Sequence, residues 1–400
     1  MKFILFTLVC LNLNFIFSQQ IGDDEVVRYV KNLGYSASAY QVVTQDGYIL
    51  RLHRIYPKNN KGCKIPAFLM HCAFTNSMYW VNTPNVALGL YLADEGYEVF
   101  MGNYRGSKYS SAHKWLDPES LKYWQFSYHE MGVYDLPPLI DYTLELSGSD
   151  KCVYIGHSQA STQDLVFLSL RPEYNEKVVQ SHLMGVAGAF ANPPPALKQL
   201  APLYMLVKNT VARDLPYADF KMPNQFLSYI SNIFCTQNIR LDMCELVHFF
   251  LMGGNPQNPF ITNTDAEVYR SIVPALSPHT SVQLVTHLVQ TIFSQRFRPY
   301  DYGTLKNLQV YGAVEPPDYP LHKISSEIYI YEGQFDTLFS KKDADLVAVK
   351  LPNKKYYMIP NYNHLDYVFA RDARDKLYKY IVSAADEYSR SGKSKKCKKY

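Results

Sequence analysis

Short apolar runs alternate with helical patterns along most of this chain, and that alternation restricts the fold more than any other feature. Strand-like runs occur at Ile65–His71, Glu98–Gly102, Cys152–Ile155 and Val178–Val186, with helical patterns at Asn85–Glu95, Tyr134–Leu146 and Ser158–Leu170 between them. Apolar strands separated by helices predict a parallel sheet with both faces covered. Ahead of this, Glu25–Leu33 reads as a short helix ended by Gly34, and Tyr40–Thr44 and Tyr48–Ile55 flank an Asp46-Gly47 turn in a hairpin pattern. The alternation stops at Pro193-Pro194-Pro195. From there to residue 300 only apolar helical patterns are legible, such as Phe226–Phe234 and Cys244–Met252. After Leu305 it resumes with a strand at Glu327–Tyr331, a helix near Lys342–Lys350, a strand at Tyr356–Ile359 and a final helix from Leu365 to Tyr388. The expected architecture is an α/β core over 19–192 and 301–389, interrupted by a helical insertion over 193–300. Such an insertion serves as a cap or lid over a site.

The ends of the chain differ from its body. Residues 1–18 have the form of a secretory signal: Lys2, the apolar run Phe3–Phe17, then the small Ser18. That run is shorter than the roughly 20 residues a membrane-spanning helix needs. Residues 390–400 form a basic tail with Arg390 and five lysines. With those six cations and Lys2 set aside, the formal charge of +4 becomes −3 for residues 19–389. A mildly acidic body argues against a basic nucleic-acid-binding body. Of seven cysteines, Cys10 lies in the leader. Cys235 and Cys244 close a short loop and are the favoured disulfide, permitted in an exported protein. Cys63, Cys72, Cys152 and Cys397 have no pairing that sequence fixes. There is no CxxC, no histidine pair at zinc spacing and no Asn-x-Ser/Thr sequon. No metal or cofactor is expected. Extracellular release is favoured over lysosomal delivery, which relies on glycans.

The chemistry concentrates in Val153-Tyr154-Ile155-Gly156-His157-Ser158-Gln159-Ala160. A strand runs into Gly-x-Ser-x-small and then a helix, the pattern of a nucleophile elbow. The serine of such a turn sits in a strained conformation, so its neighbours two residues away must be small. Gly156 meets that demand, and Ala160 adds one methyl. A serine hydroxyl is a weak nucleophile unless a base takes its proton and an acid orients the base. Asp336 follows the strand at Glu327–Tyr331, and His364 follows the strand at Tyr356–Ile359. Serine, acid and histidine in that chain order form the expected triad Ser158, Asp336 and His364. Asp366 is a second candidate acid. An oxyanion hole needs two backbone N–H groups. Gln159, just after the serine, and Ala73, in the loop after Phe68–His71, are placed to supply them. His157 reads as support for the serine, and Arg105 as half of a structural ion pair. His71, His113, His129 and His287 read as core or surface histidines. The cap aromatics Phe226, Phe234, Phe249 and Phe250 fit an acyl channel or simple packing equally.

With these residues in hand, the sequence resembles the acid lipases of the gastric and lysosomal type, from about Gly34 to Asp386. The matching stretches are Val43-Thr44-Gln45-Asp46-Gly47-Tyr48-Ile49-Leu50, Leu92-Ala93-Asp94-Glu95-Gly96-Tyr97-Glu98-Val99, Gly102-Asn103-Tyr104-Arg105-Gly106, Tyr134-Asp135-Leu136-Pro137, Gly156-His157-Ser158-Gln159 and Tyr362-Asn363-His364-Leu365-Asp366. The resemblance implies an α/β-hydrolase fold with cap and lid. It also implies metal-free hydrolysis of triacylglycerols or cholesteryl esters, and transient contact with a lipid droplet or membrane interface. The paired cap cysteines of the family look like Cys235 and Cys244. Two positions depart from the family: Cys72 and Ala160 stand where it usually has glycine, and Cys72 adjoins the expected oxyanion donor. These departures motivate an alternative, a catalytically impaired lipase-like protein that binds or stores lipid or acts as a secreted signal. An acyltransferase using the same triad is a third reading.

Overall fold

The computed structural model of the protein describes residues 18–59, 64–186, 188–194 and 279–392, with the short pieces 198–199, 201–202, 204–205, 219–221, 263–264 and 268. A ten-stranded sheet forms its centre. In spatial order it contains β1 (Ser18–Ile21), β2 (Ala37–Val43), β3 (Tyr48–Ile55), β5 (Val99–Gly102), β4 (Ala67–Met70), β7 (Cys152–His157), β8 (Val178–Met184), β11 (Glu327–Gly333) and β12 (Lys354–Ile359). A short β6 (Ala112–His113) pairs with β3 off this path. The first strands, through the β3–β5 pair, are antiparallel. Every later pair is parallel.

Strand β7 shows why this sequence makes a central strand. All six of its residues are buried. Val153 and Ile155 join a core that includes α1 (Glu25–Asn32), α2 (Leu88–Asp94) and α10 (Lys379–Arg390). Cys152 and Tyr154 join the opposite core, with α4 (Leu136–Ser147), α5 (Gln159–Leu170) and α8 (Lys341–Ala348). Each Val, Ile or Leu side chain buried in this way contributes about 1.5–3 kcal/mol. The remaining α-helices among the described residues include α3 (Tyr128–Glu130), α6 (Val282–Ser294), α7 (Thr304–Tyr311) and α9 (Asp366–Phe369). Asp24 caps α1 by accepting from the Val26 and Val27 N–H groups at 2.9 and 3.2 Å. α4 carries proline in its first turn, where a missing N–H costs nothing.

Three features differ from the sequence reading. A small antiparallel ladder, β9 (Asp219–Lys221) with β10 (His279–Ser281), lies in the insertion where no strand rhythm is legible. Three residues are too few for an alternating pattern to register. Helix α7 forms just where the α/β pattern was expected only to resume. The single final helix is broken: Ala370 turns extended after α9, and a wide helical turn at Arg374–Tyr378 leads into α10. No proline or glycine marks this break. Tertiary partners take over instead: the Arg371 N–H donates to the Asn263 carbonyl at 2.9 Å, and Asp372 accepts from the Tyr362 hydroxyl at 2.8 Å.

Helix α6 fixes the described end of the insertion to the core. Ser281 caps it and also donates to the Trp124 carbonyl at 2.6 Å, while His287 stacks on Tyr128 with ring centres 3.9 Å apart. The leader 1–17, the helical patterns at Phe226–Phe234 and Cys244–Met252, the cysteines Cys63, Cys235, Cys244 and Cys397, and the aromatics Phe249 and Phe250 lie outside the described residues. Cys72 and Cys152 are buried free thiols. Among the described residues no helix is long and apolar enough to cross a membrane.

Candidate active site

Parallel strands bring distant residues to one edge of the sheet. Met70 pairs with Gly156, His157 with Met184, Met184 with Tyr331, and Gly333 with Ile359. Five consecutive strands therefore end at the same level, and the loops that follow carry Ala73, Ser158, Gly185, Asp336 and His364. The carboxyl ends of strands are where open α/β sheets bind ligands.

Ser158 has φ 60° and ψ −119°, a conformation that costs a non-glycine residue about 1–3 kcal/mol. Its N–H donates to the Met184 carbonyl at 2.8 Å, and its carbonyl accepts from the Ser161 N–H at 2.9 Å. A Cβ at Gly156 would stand 2.7 Å from the Tyr154 ring and 3.1 Å from the Ala160 carbonyl carbon, so glycine is required there. The Ala160 methyl is accommodated in the core, and its carbonyl accepts from the Tyr154 hydroxyl at 2.9 Å. Gln159 opens α5, and its N–H has no acceptor among the described residues.

His364 and Asp336 meet through Nδ1 and Oδ2 at 2.8 Å, both buried. A carboxylate only accepts, so Nδ1 carries the hydrogen and a neutral ring presents its Nε2 lone pair. Asp336 also accepts from the Tyr367 hydroxyl at 3.1 Å and from the Phe339 N–H at 2.9 Å. Gly185 lies against this pair with φ +58°: a Cβ there would be 3.1 Å from the His364 ring and 3.2 Å from Asp336 Oδ2. The link from pair to elbow is His157, whose ring centre is 4.7 Å from that of His364. His157 Nδ1 is 2.8 Å from the Tyr79 hydroxyl. Burial and the adjacent His364 hold the His157 pKa well below the ordinary value, so its ring is neutral.

Across the elbow, the loop after β4 carries Ala73, whose N–H has no acceptor among the described residues. Phe74 follows with φ 59°. The neighbouring Cys72 thiol is pushed up to about 11 by burial and stays protonated. It is a poor nucleophile, as a buried small filler would be.

The other candidates fall into place around this centre. Asp366 accepts from the Asn363 N–H, Asn263 and Thr264 at 2.8–3.1 Å rather than touching His364. Arg105 is buried between Asp135 and Asp46, with nitrogen–oxygen contacts of 2.6–3.0 Å. His71, His129 and His287 hold partners inside the fold, and His113 bonds the Asp46 carbonyl at 2.9 Å. Among the described residues no group of three or more His, Cys, Asp or Glu side chains is arranged to hold a metal ion.

Sequence reading missed four elements. Tyr367 lies one helical turn after His364, a spacing that points it back toward Asp336. Tyr79 carries no such signal. Glu332, four residues before Asp336, is fully buried and its carboxyl has no partner among the described residues. Burial, reinforced by the Asp336 charge, pushes it up to about 10. The fourth is a hydrogen-bonded chain of aspartate, histidine and serine apart from the Ser158 site, whose own serine makes no hydrogen bond to His364 among the described residues. Asp24 Oδ1 accepts from His53 Nε2 at 3.0 Å, and His53 Nδ1 accepts from the Ser77 hydroxyl at 2.7 Å. All three side chains are buried.

The family description "partial alpha/beta-hydrolase lipase region" matches residues 26–84, and "alpha/beta hydrolase fold" matches residues 66–243. Lipase 3 of Drosophila melanogaster is 34% identical over 90% of this chain and 92% of its own length. The gastric triacylglycerol lipase of Homo sapiens is 31% identical over 92% of this chain and 93% of its own length. A solved monoglyceride lipase of Saccharomyces cerevisiae shares the fold, with a TM-score of 0.53 and 13% identity over 86% of this chain and 96% of that one. With the strand order, the elbow at Ser158 and the Asp336–His364 pair in view, the chain belongs to the lipase family of the α/β-hydrolase fold.

Proposed function

We propose that this protein hydrolyses carboxylic esters of lipids, of the triacylglycerol or cholesteryl ester class, through Ser158, His364 and Asp336. The observation that carries the reading is the buried 2.8 Å bond between Asp336 and His364 Nδ1, at the sheet edge where Ser158 sits on its strained elbow. His364 Nε2 takes the Ser158 proton as Oγ attacks the ester carbonyl. The Ala73 and Gln159 N–H groups receive the charge that develops on the carbonyl oxygen. His364 then passes its proton to the leaving alcohol, freeing it and leaving the acyl group on Ser158. Water then attacks the acyl carbon as His364 takes its proton, and His364 returns that proton to Ser158 Oγ as the Oγ–acyl bond breaks and the acid leaves. Asp336 keeps the ring in its tautomer and stabilises the imidazolium.

Around this chemistry the reading places a secretory leader at 1–18, a cap over 193–300 with a Cys235–Cys244 disulfide, a basic tail over 390–400, and transient contact with a lipid surface. Extracellular release is its expected fate. The test uses purified mature protein beside Ser158→Ala, with a fluorophosphonate probe and short- and long-chain esters from about pH 4 to pH 8. Labelling and turnover that vanish in the variant support the reading. A folded protein that neither labels nor hydrolyses would leave a lipid-binding scaffold in its place.

A further inference from the structure

The Cys72 carbonyl is the convergence point of three side chains. The Tyr104 hydroxyl donates to it at 3.0 Å and the Thr75 hydroxyl at 2.9 Å. His71 Nδ1 lies 3.0 Å from it, and since a carbonyl only accepts, Nδ1 is the protonated nitrogen. Burial holds His71 down at about 3, so the ring stays neutral in this tautomer. All of these groups are buried. A surface loop ordinarily leaves its carbonyls to water, so three buried donors on one oxygen are an investment in the direction of a single peptide group.

The peptide in question joins Cys72 to Ala73. It is trans, as are all the peptide bonds of the described chain. In a planar trans peptide the N–H points opposite to the C=O. Fixing the Cys72 oxygen therefore fixes the Ala73 N–H on the far side, away from the three donors, where no protein acceptor meets it among the described residues. We infer that Thr75, Tyr104 and His71 are positioning residues for the oxyanion hole: by clamping the Cys72 carbonyl they aim the Ala73 N–H at the charge that develops on the substrate. The inference rests on reading Ser158 as the nucleophile and Ala73 as an oxyanion donor. It also accounts for tolerance of a bulkier residue at position 72, because the clamp holds the backbone and the thiol is packed aside, 3.5 Å from Thr75 Oγ1.

Preorganised donors act because they need no reorganisation when charge appears, and removing one outright costs about 10²–10³ in kcat. Loosening one should cost less. The test compares Tyr104→Phe, Thr75→Val, their double variant and Thr75→Ser with the wild type. A soluble carboxylic ester and its thiono counterpart are the substrates, because sulfur is a poor acceptor that draws little from an oxyanion hole. Expected is a fall in kcat of about tenfold for each single variant and about 100-fold for the double, with KM nearly unchanged. Hydrolysis of the thiono ester should fall far less, the pH profile should not move, and Thr75→Ser should restore the rate. Folding is checked by thermal melting, and either single variant suffices if the other fails to fold. Equal losses on both esters, or a folded double variant with wild-type kcat, would overturn the inference. A wild type inert to the fluorophosphonate probe and to both esters would sink the parent reading and this one with it.

Discussion

The described residues contain two sets of serine, histidine and aspartate: Asp24, His53 and Ser77 are hydrogen-bonded from end to end, whereas in the other set only the Asp336–His364 bond is made and Ser158 stands apart from the ring. In the Asp24–His53–Ser77 chain the aspartate is already occupied. It caps α1, bonds His53 and pairs with Arg51 at 2.5 Å. Ser77 opens the short 3₁₀ helix Ser77–Trp80 in ordinary backbone, and its N–H donates to Asn103 at 2.8 Å. Every polar valence is spent inside the fold. In the Asp336–His364 pair the aspartate is equally well held, but Ser158 stands on a strained turn, and the Gln159 and Ala73 N–H groups at this end of the sheet have no acceptors among the described residues. Backbone strain at the serine and unspent N–H donors, rather than the order of residue types, separate a site from a strut.

That contrast can be broken by mutation. Ser158→Ala should remove ester hydrolysis by at least about 10⁴-fold while leaving the melting temperature nearly unchanged. Asp336→Asn should lower kcat by about 10⁴ through the wrong histidine tautomer, as measured by steady-state kinetics. Asp24→Asn should do the reverse. It should cost about 3 kcal/mol in urea unfolding, since Arg51 and His53 lose their anion, and leave the kcat of the folded enzyme intact. Ser77→Ala should cost about 1 kcal/mol and again spare kcat. A collapse of activity in either of the last two would erase the distinction.

The smallest effect sharpens a second contrast, between Asp336 with its three donors and Glu332, whose carboxyl has no partner among the described residues. The Glu332 carboxyl has an ordinary value of 4.5 and sits at about 10 in the fold. Across that window the folded state keeps a proton that the unfolded chain releases, so stability falls as pH rises. Glu332→Gln should flatten this slope in melting curves recorded from pH 5 to pH 9, by about 1 kcal/mol or more.

The centre of this site was legible because its constraints are local. Gly156 must lack a Cβ, Asp336 and His364 must follow strands, and each rule spans a few residues. The parallel order of β4, β7, β8, β11 and β12 then follows from apolar runs spaced by helices. The Asp24–His53–Ser77 chain had no such trace, since its bonds cross 29 and 24 residues and no motif joins them. The clamp on Cys72 was hidden for a related reason. Tyr104 lies in the Gly102-Asn103-Tyr104-Arg105-Gly106 stretch, but its hydroxyl serves a carbonyl 32 residues away. The break after α9 stayed invisible because Asn263 and Tyr362 cause it, and the broken segment's own composition does not.

Gly185 gives the site a dependence on an atom that is missing. It bonds nothing in the reaction and carries no side chain, yet the imidazole and carboxylate rest against its bare α-carbon. In a saturation screen scored by turnover, position 185 should behave like a member of the triad, with every replacement failing. Scored by expression, several of those replacements should pass, because the crowding falls on two side chains and leaves the sheet intact. Heritable loss of lipid hydrolysis in such a protein can thus arise at a residue with no functional group at all.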